Sequence, residues 1–353
     1  MTSRERVKAA LACRQTDKVP WIELGNKGLV VEMLLDHPLP VDLENGPSDD
    51  QGQVEAYLLS LIEFSQRAGM DAVVLKFWSP VFATSEYTDA GQTIRRVGLV
   101  RDRTSLDIFR KYAPKPVTPG SAEYESSKTY QRVMAECDLA RGFQVGSIYG
   151  FVESSVGFEA MCLGFHDDPD LIKQAAEFAA DHVIETARKL CDLVDLDFIV
   201  LNDDIAFKTA PMISPDLFRD FFLPHFVRLG QLLAERDVGF VMHTDGGFLP
   251  LLDMLLESGI VAIQPCEAAA VDIGEIKARY RQRLCPMGNV DVDLLIRGTP
   301  EQVYESTKQL LLTVGREDGY VLSSGNIIME ETPRRNFMAM VQAHKDFADR
   351  DGM

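Results

Sequence analysis

Eight short apolar runs, centred near residues 22, 74, 146, 199, 241, 262, 285 and 321, are each followed by a helix or by room for one. No other feature constrains the fold as tightly, because a strand that returns to the same sheet in parallel needs a crossover about as long as a helix. Eight such units in one chain predict an α/β protein of the (β/α)8 TIM barrel class, with its site at the C-terminal ends of the strands. A chain of 353 residues is long for one domain, but barrels of this kind reach that length, so residues 1–353 are read as one barrel domain. An open doubly wound sheet is the runner-up. It lacks the glycine-rich phosphate loop that such sheets use, since neither G-x-G-x-x-G nor a Walker sequence occurs.

The start of the chain adds a helical and loop extension. Thr2 and Glu5 have capping-box spacing and Val7, Ala10 and Leu11 recur at helical spacing, which predicts a helix over 3–13 ahead of a short strand at Trp21-Ile22-Glu23-Leu24. Prolines and acidic residues between 29 and 52 suggest an insertion or lid. A helix over 53–68 and a strand over 71–78 follow, and alternation from Glu86 to Val100 suggests a small appended hairpin. Pro114, Pro116 and Pro119 mark a linker, a helix is expected over 125–141 and a third strand over 143–149. From there strand and helix alternate regularly, with Ser214-Pro215 opening one long helix to about residue 236 and Thr332-Pro333 preceding the last.

Composition narrows the partners. Hydrophobic residues make up 46% and charged residues 25%, enough apolar surface for a sizeable core. A net charge of −18 with no basic cluster argues against nucleic acid and anionic membranes, and leaves a small molecule or another protein as partner. The six cysteines show no C-x-x-C pair and read as reduced thiols. No apolar segment reaches the length of a membrane span, so the chain is expected to be soluble and cytoplasmic, with room for a homodimer.

The chemistry gathers at Val238-Gly239-Phe240-Val241-Met242-His243-Thr244-Asp245-Gly246-Gly247. It reads as a buried strand that delivers a histidine and a carboxylate to one side, since residues i and i+2 of an extended chain point the same way. The other strand ends carry Glu23, Asp203, Asp204, Glu267, Asn289, Asp291 and Asn326. One imidazole among several carboxylates has two uses. It holds a divalent metal, with His243, Glu267 and Asp245 as ligands and an open position for substrate, or it does metal-free acid/base work. So many acids at one mouth would repel one another without a cation, which favours the metal. Asp204 joins His243 and Asp245 as the catalytic group, and Glu23, Lys76, Tyr149, Asp203, Asn289, Asp291 and Asn326 form the substrate-binding set.

The opening Ser3-Arg4-Glu5-Arg6-Val7-Lys8-Ala9-Ala10-Leu11 with Asp17-Lys18-Val19-Pro20, the Ser214-Pro215 helix, His243-Thr244-Asp245-Gly246, Gly288-Asn289-Val290-Asp291 and Gly319-Tyr320-Val321-Leu322-Ser323-Ser324-Gly325-Asn326 followed by Thr332-Pro333 come in a telling order. Taken together they resemble the uroporphyrinogen decarboxylase superfamily over nearly the whole chain. True uroporphyrinogen decarboxylases carry an arginine-rich stretch after the first strand that clamps the substrate's carboxylates. Here Ile22-Glu23-Leu24-Gly25-Asn26-Lys27 has no arginine, which disfavours a polycarboxylate macrocycle. The resemblance to the cobalamin-dependent methyltransferase branch implies instead methyl transfer from a small methylated substrate, such as a methoxylated aromatic, to cobalamin on a separate corrinoid protein.

In that branch the well-known zinc site uses His-x-Cys and a later Cys; the matching positions here are His243, Asp245 and Asn326. Replacing both thiolates by oxygen groups puts a thiol acceptor in doubt and suits a metal, zinc first, that polarises an ether or phenolate oxygen. No D-x-H-x-x-G corrinoid loop occurs, so the corrinoid protein would dock as a partner. The alternatives are a decarboxylase or other lyase working without cobalamin, and a barrel that binds a small molecule without turnover.

Overall fold

The computed structural model describes residues 1–25, 28–43, 47–77, 82–87, 93–113, 115 and 117–350, without the side chains of 84–87 and 93–97. Asn26, Lys27, Trp78, Pro114 and Pro116, which entered the sequence reading, lie outside the described residues.

Seven strands pair in parallel and in chain order: β1 (Ala72–Phe77), β2 (Ala140–Val145), β3 (Phe198–Asn202), β4 (Gly239–His243), β5 (Ala262–Gln264), β6 (Cys285–Val290) and β7 (Val321–Ser324). An eighth stave closes the ring. Trp21 bridges Leu322 in parallel, Leu322 N donates to Pro20 O at 2.9 Å, and on the other side Asp71 N donates to Trp21 O at 2.8 Å. The chain is therefore a closed (β/α)8 barrel, and closure removes the sheet edges that would otherwise be left unpaired.

Alternation along each strand sorts side chains into two cores. Ile22, Leu24, Ala72, Ala140, Phe198, Val200, Val241, Ala262, Met287 and Val321 fill the barrel, while Trp21, Val73, Phe143, Ile199, Leu201, Phe240 and Leu322 face the helices. The N-terminal helix Ser3–Leu11, with the expected Thr2/Glu5 capping box, plugs the barrel's N-terminal end with Val7, Ala10 and Leu11. Its arginines fix it there. Arg6 Nη1 lies 2.6 Å from Asp71 and Arg4 Nε 2.8 Å from Asp197, carboxylates buried at the starts of β1 and β3. Asp71 also accepts from Trp21 N at 3.0 Å, so one carboxylate joins the plug to the closing stave.

The structure moves several expected boundaries. The third strand runs Ala140–Val145, not 143–149, and the helix before it is Ala122–Met134. Arg141 disguised the strand's start: its guanidinium is buried, with Nη2 donating to Met134 O at 2.9 Å and Nη1 2.9 Å from Asp195. The long helix after Ser214 is two, Pro215–Phe221 and Leu223–Glu235, because Pro224 brings no amide donor to the first helix's continuation. Strand β6 continues to Val290, through the polar Asn289. Helices Arg103–Tyr112, Phe158–Asp167 and Val292–Arg297 were not foreseen, nor was the two-residue ladder of Ala206–Phe207 with Ala210–Pro211. The appended hairpin is present as Ala83–Tyr87 against Thr93–Gly98. In the expected insertion there is a short helix, Gly28–Glu32, and Leu43 and Pro47 line a narrow cavity beside Lys76.

Candidate metal centre

In the inward-facing register, the apolar positions of the barrel give way at its C-terminal end to Lys76, Gln144, Asn202, His243, Gln264, Asn289 and Ser323. Each stands two residues beyond an interior position of its own strand. His243 sits in register with Asn202 on one side and Gln264 on the other.

His243 is buried and its ring is oriented by Gln264. Gln264 Nε2 donates to Asn326 O at 2.9 Å and to Ser323 Oγ at 3.4 Å, which turns Oε1 toward His243 Nδ1. An amide oxygen only accepts, so Nδ1 carries the proton and Nε2 presents its lone pair outward. That nitrogen faces Asp204 Oδ1 at 3.8 Å and Asp245 Oδ1 at 3.7 Å. One ligand atom from each of Asp204, His243 and Asp245 falls within 4.8 Å of the others. Asp245 is itself held: Asn326 Nδ2 donates to both its oxygens at 3.0 and 2.9 Å, and its backbone N donates to Asp204 Oδ1 at 3.0 Å.

Burial, and next the neighbouring Asp204 charge, raise the Asp245 carboxyl to about 6, with His243 pulling the other way. Two carboxylates and a ring lone pair converging on one point are what a divalent cation stabilises, and the nitrogen and oxygen donors suit zinc or a similar ion. The ring's other nitrogen is held by a second residue, as in metal-ligating histidines.

The remaining expected site residues divide by what already occupies them. Glu267 Oε2 accepts from Gly246 N at 2.8 Å, and the grouped donors are completed by Asp204 in its place. Asp203 is fully buried and accepts from the amides of Ile148, Tyr149 and Gly150, each at 2.8 Å; burial pushes it up to about 7. It clamps the start of helix Tyr149–Val156, whose capping residue, Ile148, makes no side-chain capping bond. Glu23 lies on the outer side of its stave, bonded to Trp21 Nε1 at 2.8 Å and to Ser324 N and Oγ at 2.8 and 2.6 Å, and burial raises it to about 7. Asp291 caps helix Val292–Arg297 through Leu294 N at 2.9 Å. Tyr149 is buried against Phe222, its hydroxyl without a hydrogen-bond partner among the described residues. Lys76 and Asn289 line the polar end of the barrel, Lys76 so close to Gly25 that a Cβ there would come within 2.6 Å of Nζ.

Gln264 escaped the sequence reading. The signal was available, since it ends a strand at the same level as His243, but an amide neither titrates nor ligates metal readily and so attracts no notice.

A family model described as uroporphyrinogen decarboxylase (URO-D) matches residues 148–347, more than half of the chain. Among curated proteins, a uroporphyrinogen decarboxylase of Coxiella burnetii is 28% identical over 145 residues, covering 39% of this chain and 38% of that one. A methylcobamide:CoM methyltransferase of Methanosarcina acetivorans is 27% identical over 180 residues, half of each chain, at 50% and 50%. A methylated-thiol–coenzyme M methyltransferase of Methanosarcina mazei is 27% identical over 191 residues, 54% of this chain and 48% of that one. The matches thus span about half or less of these relatives' length. A solved methyltransferase from Methanosarcina mazei superposes with a TM-score of 0.73 over 98% of this chain and 99% of that one, at 20% identity, which establishes the fold.

Proposed function

Because the chain belongs to the uroporphyrinogen decarboxylase family, we propose that it is a methyltransferase whose Asp204, His243 and Asp245 hold a divalent metal, zinc first, and that it passes a methyl group from a small methylated substrate to cobalamin on a separate corrinoid protein. The observation that carries this reading is the His243 Nε2 lone pair turned onto two carboxylates by Gln264. Relatives named as methylcobamide:CoM and methylated-thiol methyltransferases support the reaction class. The donor set refines it: with no thiolate among the three, an ether or phenolate oxygen is a better match than a thiol, so methoxylated aromatics are the first substrates to try. The single barrel, residues 1–353, would work in the cytoplasm with the corrinoid protein docked over the mouth.

A metal bound there supplies Lewis acidity that stabilises the demethylated leaving group. The protein's own part is placement. Gln264 fixes the His243 tautomer, Asn326 holds the Asp245 carboxylate, and Glu267 and Asp204 accept from the Gly246 and Asp245 amides, pinning the turn that carries the ligands. The family's other activity, decarboxylation, is the second reading, favoured by the relatives named uroporphyrinogen decarboxylase. It predicts turnover with carbon dioxide release and no corrinoid.

The test is to mix zinc-loaded protein, a panel of methyl ethers and cob(I)alamin, and to follow methylcobalamin by absorbance. Transfer that falls about a hundredfold or more in His243→Ala supports the reading. Transfer unchanged in that variant, or turnover of a carboxylated substrate without corrinoid, contradicts it.

A further inference from the structure

Beside the metal cluster, one strand further round the barrel, two carboxamides form a second polar element. Gln144 of β2 is buried, and its Nε2 donates to Asn202 Oδ1 of β3 at 2.5 Å. Gln144 Oε1 is buried and accepts no hydrogen bond from the described residues. Buried carbonyl oxygens are almost always satisfied, and one left without a donor costs about 1–3 kcal/mol. Its position states where the missing donor would come from. Ala140, Gly142 and Gln144 share one side of β2, Phe198, Val200 and Asn202 one side of β3, and Ala140, Phe198 and Val200 belong to the barrel's interior. Gln144 and Asn202 therefore project into the lumen just above its apolar filling, and Asn202 is in register with His243. On the far side, Gln144 is in register with Lys76.

We propose that Gln144, held by Asn202, is a specificity-determining residue: its Oε1 accepts a hydrogen bond from an O–H or N–H on the methylated substrate, next to the methyl-bearing atom that faces His243. This rests on the methyltransferase reading and adds the class of substrate. The favoured molecule carries a neutral donor beside its methyl group. A substrate that offers only acceptors at that point leaves Oε1 buried and unmet, and a site built to hydrogen-bond discriminates strongly against an analogue that lacks the partner.

The probes are 2-methoxyphenol, which has a hydroxyl beside its methoxy group, and 1,2-dimethoxybenzene, in which that hydroxyl is methylated. Binding to zinc-loaded protein is measured by calorimetry, and methyl transfer to cob(I)alamin is followed separately. The wild type should bind the phenol about tenfold or more tightly than the diether. Gln144→Leu should bring the two within about twofold while zinc content stays unchanged; Gln144→Met, unbranched like glutamine, serves if the leucine variant melts early. Equal binding of both probes by the wild type, binding of neither, or a preference that survives in the folded Gln144 variants overturns the proposal. A preference that is lost in those variants, with no methyl transfer from either probe, leaves the recognition standing and removes the methyltransferase reading instead.

Discussion

His243 donates its Nδ1 proton to Gln264 Oε1, and that one contact between neighbouring strands decides which way the other ring nitrogen looks. Gln264 holds its orientation because Nε2 is engaged by Asn326 O and Ser323 Oγ. The imidazole is thus set by a neutral amide on the neighbouring strand.

Gln264→Leu, which removes the acceptor at similar volume, should weaken metal binding about 10–100-fold, the usual effect of losing a partner behind a histidine ligand. Gln264→Glu keeps an acceptor and should lose less. Competition against a chromogenic chelator measures both; an unaltered affinity in Gln264→Leu would show that the ring needs no such support.

Adjacent aspartates should behave oppositely. Asp203→Ala strands the Ile148, Tyr149 and Gly150 amides and should destabilise the fold by about 3 kcal/mol or more in urea denaturation. Asp204 is half exposed. Asp204→Ala should shift the stability of the metal-free protein by only about 0.5 kcal/mol while abolishing metal binding. If Asp203→Ala were as stable as wild type, the clamp would carry no energy.

That contrast marks what the residues alone reveal. The cadence of apolar runs was enough to place a barrel with its acids at one mouth, because strand period and strand ends are local properties. Which acids face the lumen is not local. Asp203 and Asp204 are consecutive, and only the partners that β2 and β4 bring in make one a clamp and the other a member of the metal group. Glu23 illustrates the same point: it ends a stave, yet alternation places it on the outer wall, bonded to Trp21 and Ser324 across the barrel's closure. Gln144 and Gln264 were passed over because amides leave no charge signature, although they line the lumen at the level of His243.

Acid sensitivity should come from the closing stave as well. His344 is buried against Trp21, with Nε2 donating to Val19 O at 2.9 Å, and burial lowers its pKa to about 4 from the ordinary 6.5. Above pH 6.5 the ring is neutral in both folded and unfolded chains, and its contribution is fully present. As pH falls from 6.5 towards 4 the unfolded chain takes up a proton that the folded chain refuses, so up to about 3 kcal/mol is lost. Between pH 7 and 4 the buried Glu23 and Asp203 carboxyls, raised to about 7, take up protons in the folded chain and work the other way, so the difference is the readout: relative to its value at pH 7, the denaturation midpoint at pH 4 should be lower in the wild type than in His344→Phe, where the ring packing is kept and the titration removed. Parallel slopes in the two proteins would assign the acid loss to other groups.

Whether Asp204, His243 and Asp245 hold a metal is decided by the metal content of four purified proteins, measured by mass spectrometry: wild type, His243→Ala, Asp204→Ala and Glu267→Ala. About one zinc or similar ion per chain is expected in the wild type and in Glu267→Ala, and its loss in the His243 and Asp204 variants. Metal retained without Asp204 but lost without Glu267, or no metal taken up by the wild type after zinc supplementation, would contradict that ligand set.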